Sequence, residues 1–566
     1  MPRKASSDLR RLARLRDRFG PGVGEKKRAL LAALEKGPLP RASEVFRLHE
    51  ILCFLRAYPD DATLLMHVER MLRAFSRRAD LRRHRAVLAD TGVAGTEIRF
   101  RFFAPTASWL ARRRPGHFHV DWTKLRERDR DRLESFLPLL VHYAETPGLD
   151  EWDLGIEGWV RRLKGREETD GTFLARRFAA LKADSFTREK IYDDLDIPMR
   201  LAPGTGTPSR TLARDPASPV VFVRKGLSRR RPVLPADALR RPLSVRNLGP
   251  REARAMIGLA REAMLTRQRD LDLFSYASPD DVRLVEWNDG LRFACLGALP
   301  ERRLLLEAVY GFLTLKNGVP LGYVLVSALF GSSEIAYNVF ETFRGGEAGR
   351  IYGRVLATAR HLFGSDVFTI FPYQLGHENE EAIRSGAWWF YQKLGFRPKN
   401  REALVLMRRE LVRMKRKPGH RSSPQTLRAL AEHNLYYCLG KSRSDVIGGD
   451  FLPDVGLNIT DFLAARFGSD REKAAKVCSR EAMSLIGVSS LRGFAAGERL
   501  AWERWAPLVG ILPRIRRWSP AAKRALLDVI RAKGGRRESE FVARFDRHLP
   551  LRRALLRLAR NLRRRR

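Results

Sequence analysis

Cysteine is scarce in this chain: its 566 residues include four, Cys53, Cys295, Cys438 and Cys478, all far apart. No C-x-x-C pair occurs, and no histidine stands at metal-ligand spacing from any of them. This argues against a disulfide framework and a zinc site. Long apolar runs are missing too. None approaches the roughly eighteen residues that a membrane span requires. The start, MPRKASSDLRRLARLRDRFG, lacks the apolar centre of a secretory signal, so the expected compartment is the cytoplasm. Asp8 and Asp17 weigh against reading the same Arg-rich start as an organellar transit peptide. Acidic residues are in short supply, 65 against 107 Lys and Arg, which leaves a formal net charge of +42. A polyanion such as nucleic acid is one partner that such a balance fits. The excess is spread along the chain rather than gathered in one stripe, so an Arg-favouring codon usage explains it equally well.

What remains is ordinary globular material. The 44% hydrophobic and 9% aromatic content can fill cores, and at this length three or four domains are expected. Residues 1–240 read as a mostly helical region with some strand. A basic helix puts Leu9, Leu12, Leu15 and Phe19 on one side and stops at Gly20-Pro21-Gly22, and helical spacing returns over Ala42 to Arg56 and Ala62 to Phe75. Ile98 to Phe103 and Val220 to Val223 have the composition of short strands. The Arg/Pro-rich stretch from Ser228 to Pro242 reads as a linker. Residues 425–566 follow a basic run and read as helices. After Asp546 there is no acidic residue, and Leu551, Leu555, Leu558 and Leu562 form an apolar stripe beside nine arginines. That stripe suits either a membrane or polyanion surface, or packing on the rest of the chain.

Between these arms, over residues 241–412, the pattern changes to strands. Leu243 to Leu248 precedes a helix from Pro250 to about Leu265. Arg283 to Trp287 and Leu291 to Leu296 flank Asn288-Asp289-Gly290, while Tyr310 to Leu315 and Gly322 to Phe330 flank Lys316-Asn317-Gly318. Both are hairpins by their turn residues. Glu334 to Phe340 then runs into Arg344-Gly345-Gly346-Glu347-Ala348-Gly349-Arg350 and a helix with apolar spacing from Ile351 to Leu362. Val367 to Pro372 is a further strand, and Gly386 to Leu394 a short helix. A glycine-rich turn from strand to helix offers backbone N–H groups at the positive end of a helix dipole, which suits a pyrophosphate but also serves tight packing.

Two separated motifs go further. VFETFRGGEAGRIYGRVL resembles the acyl-CoA motif R/Q-x-x-G-x-G/A of the general N-acetyltransferase (GNAT) superfamily, and NEEAIR with FYQKLGFRP resembles the N-x-x-A and F-Y-x-K-x-G-F block that closes the same fold. The resemblance covers about 165 residues, from Leu243 to Met407. It implies an α/β domain with a mixed, mostly antiparallel sheet, acetyl-CoA as acyl donor, and transfer to an amine by direct attack. It places the pyrophosphate on the backbone of Arg344, Gly345, Gly346, Ala348, Gly349 and Arg350, the pantetheine arm along Val339 and Phe340, and Asn379 near the same ligand. Tyr391 falls where the family keeps an acid for the departing thiolate, and Glu334 near where some members keep a base for the amine.

Each of these residues also has a structural role open to it: aromatic packing for Tyr391, a solvated strand end for Glu334, a turn for Asn379. The sequence departs from the family pattern twice. Glu347 stands where glycine is usual, and it is expected to point outward and pair with Arg350. Ser385 to Trp389 is inserted between the two closing motifs, adding about 500° of helical turn, so the helix is expected to begin near Ser385 with Asn379 in the preceding loop. The acceptor, the acyl chain length and the oligomeric state are not legible. A catalytically silent GNAT-like scaffold within a polyanion-binding protein is the rival reading.

Overall fold

The computed structural model describes residues 2–227, 234–345, 347–448 and 451–563. Gly346, part of the linker (228–233) and the last three arginines, three of the nine expected near the end, therefore lie outside the described residues. The molecule is mixed α/β, built around a sheet of nine strands. A smaller sheet comprises β1 (Ile98–Phe100), β2 (Phe118–Val120) and β3 (Met199–Leu201), in the order β1-β3-β2. The large one comprises β4 (Ser244–Asn247), β5 (Ala277–Glu286), β6 (Leu291–Ala298), β7 (Ala308–Lys316), β8 (Val319–Leu329), β9 (Ser332–Val339), β10 (Val367–Ile370), β11 (Arg397–Pro398) and β12 (Leu435–Cys438). From β4 to β9 it is an antiparallel meander, β9 and β10 run parallel, and β12 lies between β10 and β11.

The two hairpin turns behave as their residues dictate. Asp289 and Gly290 have φ of 75° and 76°, and Asn317 and Gly318 have 50° and 79°, so both central positions of each turn are left-handed. At Gly318 a Cβ would lie 2.3 Å from the Asp215 carbonyl oxygen, which leaves glycine as the residue that fits. Strands β7 and β8 are buried along nearly their whole length. They read as apolar runs because both faces are covered. On one face Leu273 and Phe274 crowd against Gly311, near the helix Pro250–Leu265. On the other, Phe363 of the helix Ala348–Phe363 packs on Tyr310 at 5.0 Å, and Phe545 of the helix Glu538–Arg547 on Phe330 at 5.1 Å.

The arms take part in this core. Helices within residues 2–84 share one continuous apolar cluster with the sheet and with the C-terminal helices, while residues 98–201 form a second cluster around the small sheet. Leu9 and Leu12 are buried as expected, but the first helix ends at Leu15, short of Phe19. Val220 to Val223 is not a strand. Its backbone is instead held by the Asn317 side chain, which accepts from the Val221 N–H at 2.9 Å and donates to the Val221 carbonyl at 3.1 Å. The region after 425 is helical except for β12, a four-residue strand too short to show a period. The stripe Leu551, Leu555 and Leu558 is buried against the protein. Among the described residues no helix is long and apolar enough to cross a membrane.

Candidate functional site

Strand β9 bonds to β8 along its full length, from Ser332 opposite Leu329 to Val339 opposite Gly322. On its other side it meets β10 only as far as Glu334, opposite Thr369. Strand β10 stops at Ile370 because Pro372 follows, and proline, lacking an N–H, opens a short helix instead of extending the ladder. The two strands part, and a cavity of about 460 Å³ occupies the gap. Tyr337, Asn338 and Val339 of β9 form one wall. Arg344, Gly345, Ala348 and Gly349, where the turn enters the helix Ala348–Phe363, form the rim, and Asn379, Phe390 and Tyr391 close the far side. This volume falls in the range of small-molecule sites.

Seven of the residues expected at the site thus share one cavity: Val339, Arg344, Gly345, Ala348, Gly349, Asn379 and Tyr391. Phe340, Arg350 and Glu334 do not line it. The Phe340 ring is buried under the Arg267 guanidinium, 3.7 Å away, and its N–H bonds to the Leu321 carbonyl. The Arg350 side chain turns to Asp289 at 2.7 Å. Gly346 lies outside the described residues. Arg344 reaches across the mouth to Glu381 and donates to the Val339 carbonyl at 3.3 Å.

Asn379 caps the helix Glu380–Ser385: its Oδ1 accepts from the Ala382 N–H at 3.1 Å and its Nδ2 donates to the Tyr373 carbonyl at 3.0 Å. The helix expected from near Ser385 is present as Ala387–Leu394, but the stretch before it, expected as a loop, is itself the short helix that Asn379 caps. Gly386, at φ 67°, ends this first short helix and starts a second, Ala387–Leu394. Tyr391 stands on the second, 3% exposed, among the rings of Tyr352, Phe390 and Phe396. Burial pushes its phenol above the usual tyrosine range. Its hydroxyl has no hydrogen-bond partner among the described residues, and neither has the buried Oδ1 of Asn338.

Glu347 overturns an expectation. It does pair with Arg350, at 3.3 Å, but it is buried rather than turned to solvent, with Lys316 3.7 Å from its second oxygen. Tyr58, at the end of the N-terminal helix Ala42–Ala57, lies beside it; burial first and then the Glu347 carboxylate push that phenol well up. The carboxylate is therefore held under the turn, away from the cavity. The same helix braces the turn elsewhere: Phe54 stacks on Phe343 at 6.5 Å, and the Thr342 hydroxyl donates to Glu50. Burial alone would raise the Glu50 carboxyl, but the hydrogen bond to His49 and the charge of Arg210 hold it down at about 2.

Glu334 sits half-buried on β9. Burial, then the nearby Glu307 carboxylate, raise it to about 7. Sequence reasoning missed Tyr337, Asn338, Gln374, Glu381, Ser385 and Phe390, which also line the cavity. Tyr337 and Asn338 lie inside the strand just before the glycine-rich turn, so their position was a signal; Gln374 comes from the short helix that Pro372 opens, and Glu381, Ser385 and Phe390 from the two helices that meet at Gly386. Among the described residues no group of three His, Cys, Asp or Glu side chains could hold a metal ion. No family model, curated protein or solved structure matches the chain.

Proposed function

We propose that the chain is an acyl-CoA-dependent N-acyltransferase of GNAT type, with acetyl-CoA as the donor substrate. The observation that carries this reading is the parting of β9 from β10 directly before the glycine-rich start of the helix Ala348–Phe363. An extended pantetheine arm needs amide partners along a strand edge, and a pyrophosphate needs helix-start amides with positive charge. Tyr337 and Val339, whose backbone faces away from β8 in this register, supply the first, Gly345, Ala348, Gly349 and Arg344 the second. In the transfer the acceptor amine forms a C–N bond to the thioester carbonyl carbon and the C–S bond breaks. Tyr391 gives its proton to the leaving sulfur, and Glu334, carboxylate above about pH 7, takes the proton shed by the amine. Because Glu334 does not line the donor cavity, the acceptor approaches from outside it.

Calorimetry on the full chain tests this. Acetyl-CoA should bind at one site, Ala387→Phe, which fills the cavity, should abolish binding, and Tyr391→Phe should leave it within about threefold while lowering turnover. Absence of acetyl-CoA binding to the parent chain would overturn the reading.

A second reading, a scaffold that binds a polyanion, draws on the helix Arg401–Arg416. Arg401, Arg408, Arg409, Lys415 and Arg416 are all exposed there, with no ion pair among the described residues.

A further inference from the structure

A second cavity, of about 290 Å³, lies where the lobe of residues 98–201 meets the helix Pro250–Leu265. This is the sheet face opposite the helix Ala348–Phe363, so the cavity is separate from the cleft described above. Its walls come from three helices that each turn one side to it. Ala104–Arg113 presents Ala104, Pro105, Ser108 and Arg112 at helical spacing; Asp170–Ala179 presents Ala175, Phe178 and Ala179; Ser185–Leu195 presents Arg188, Glu189 and Tyr192. Arg261, Ser275, Tyr276 and Leu299 complete it.

The polar content of this cavity is lopsided. Three arginines face it, and its one carboxylate, Glu189, is already paired with Arg302. Arg112 is exposed and has no hydrogen-bond or ion-pair partner among the described residues. Arg188 gives one bond, to the Ala183 carbonyl at 3.2 Å. Arg261 is fixed by the carbonyls of Phe274 and Ser275, at 3.3 and 2.6 Å; burial lowers its pKa, the Asp270 carboxylate opposes that shift, and the charge of Arg112 adds to it. Like charges brought together at a partly apolar wall cost free energy unless an anion joins them. Tyr192 adds an independent sign: it is 2% exposed, lines the cavity, and its hydroxyl is buried with no hydrogen-bond partner. Buried hydroxyls are rarely left so. The rest of the wall is apolar, with Phe178, Leu299, Pro105 and alanines.

We propose that this cavity is a binding site for a small carboxylate with a short apolar body. Arg112 and Arg188 grip the anion at the open end, as planar guanidinium groups grip carboxylates in pairs of hydrogen bonds, the Tyr192 hydroxyl contributes a third donor, and the apolar body lies against Phe178 and Leu299. Neither acyl transfer nor the donor cleft is needed for this site, so it stands or falls by itself.

Hexanoate is a suitable probe, with hexylamine as its cationic counterpart and inorganic phosphate as an anion without an apolar body. Calorimetry on the full chain should show hexanoate binding, at least tenfold weaker phosphate binding and no hexylamine binding. Arg112→Gln removes a group that holds nothing else in the fold and should weaken hexanoate at least tenfold with an unchanged melting temperature. Tyr192→Phe separates a ligand role from a packing role: a hydroxyl that only sits buried would be removed without effect on hexanoate, whereas a ligand donor gives a loss of at least threefold. Failure of the parent chain to bind hexanoate at millimolar concentration overturns the proposal. So do equal affinities for hexanoate and hexylamine, or variants that bind hexanoate as the parent does.

Discussion

At the scale of single residues, Glu334 makes the clearest claim on pH. Its carboxyl, ordinarily near 4.5, sits at about 7 in the fold because burial and Glu307 both disfavour its charge. A carboxyl raised on folding stabilises the native state most below its unfolded value, and that contribution is lost as pH rises through the folded one. Glu334→Gln, which never ionises, should therefore gain on the parent between pH 5 and 8, by on the order of 2 kcal/mol, as read from urea midpoints. Equal pH profiles would mean that Glu334 titrates as a solvated strand end. The residue was legible in the sequence as a candidate base; its value near neutrality was not, because Glu307 is brought near it by strand register rather than chain proximity. Glu347 shows the same limit. Its pairing with Arg350 follows from helical spacing, but Lys316 and Tyr58 arrive from a hairpin and from the N-terminal arm.

At the scale of elements, the C-terminal helices are fastened to the sheet by buried charge. Tyr310 of β7 donates its hydroxyl proton to Asp281 at 2.5 Å, Asp281 also accepts from the Glu538 N–H, and Lys533 pairs with Glu538 at 2.6 Å, both nearly inaccessible to water. Removing Glu538 leaves the Lys533 ammonium buried without its paired carboxylate, held by the Leu306 and Glu307 carbonyls. Glu538→Ala should thus cost about 3–5 kcal/mol in urea unfolding, and adding Lys533→Met should restore much of it. A loss below about 1 kcal/mol would mean that water reaches Lys533 once its partner is gone. The two hairpins and the helices Pro250–Leu265, Ala348–Phe363 and Ala387–Leu394 could be read from turn chemistry and period, since those are local properties, whereas sequence reasoning missed the helices Glu380–Ser385 and Arg401–Arg416. Strand β12 could not, because four residues carry no period and its pairing is decided by the open edge of β10.

At the scale of the whole molecule, the charge of +42 is worn mostly on the outside. Helix Arg401–Arg416 carries five exposed cations without ion pairs among the described residues, and Arg553, Arg557 and Arg560 form an exposed row on the helix Leu549–Arg563, whose Leu551, Leu555 and Leu558 are buried. Duplex DNA should bind with an affinity that falls steeply with salt, and Arg408→Gln with Arg409→Gln should lower the slope of log affinity against log salt by roughly 1.8, about 0.9 for each lost phosphate contact. Unchanged slope in a filter-binding titration would place the contact elsewhere, and no binding at low salt would reject the polyanion reading.

The place of β12 between β10 and β11 has a consequence in time. A chain emerging from the ribosome presents β9 and β10, with the cleft's rim, well before Leu435–Cys438 exists. At about 5–20 residues per second, β10 would wait on the order of 3 to 13 s for its second neighbour. Strand β11, whose only ladder partner among the described residues is β12, would wait with it. Through that interval the wall opposite β9 lacks its outer support, so the cleft takes its final shape late in synthesis, and the edge of β10 stays open to pairing with another chain until then.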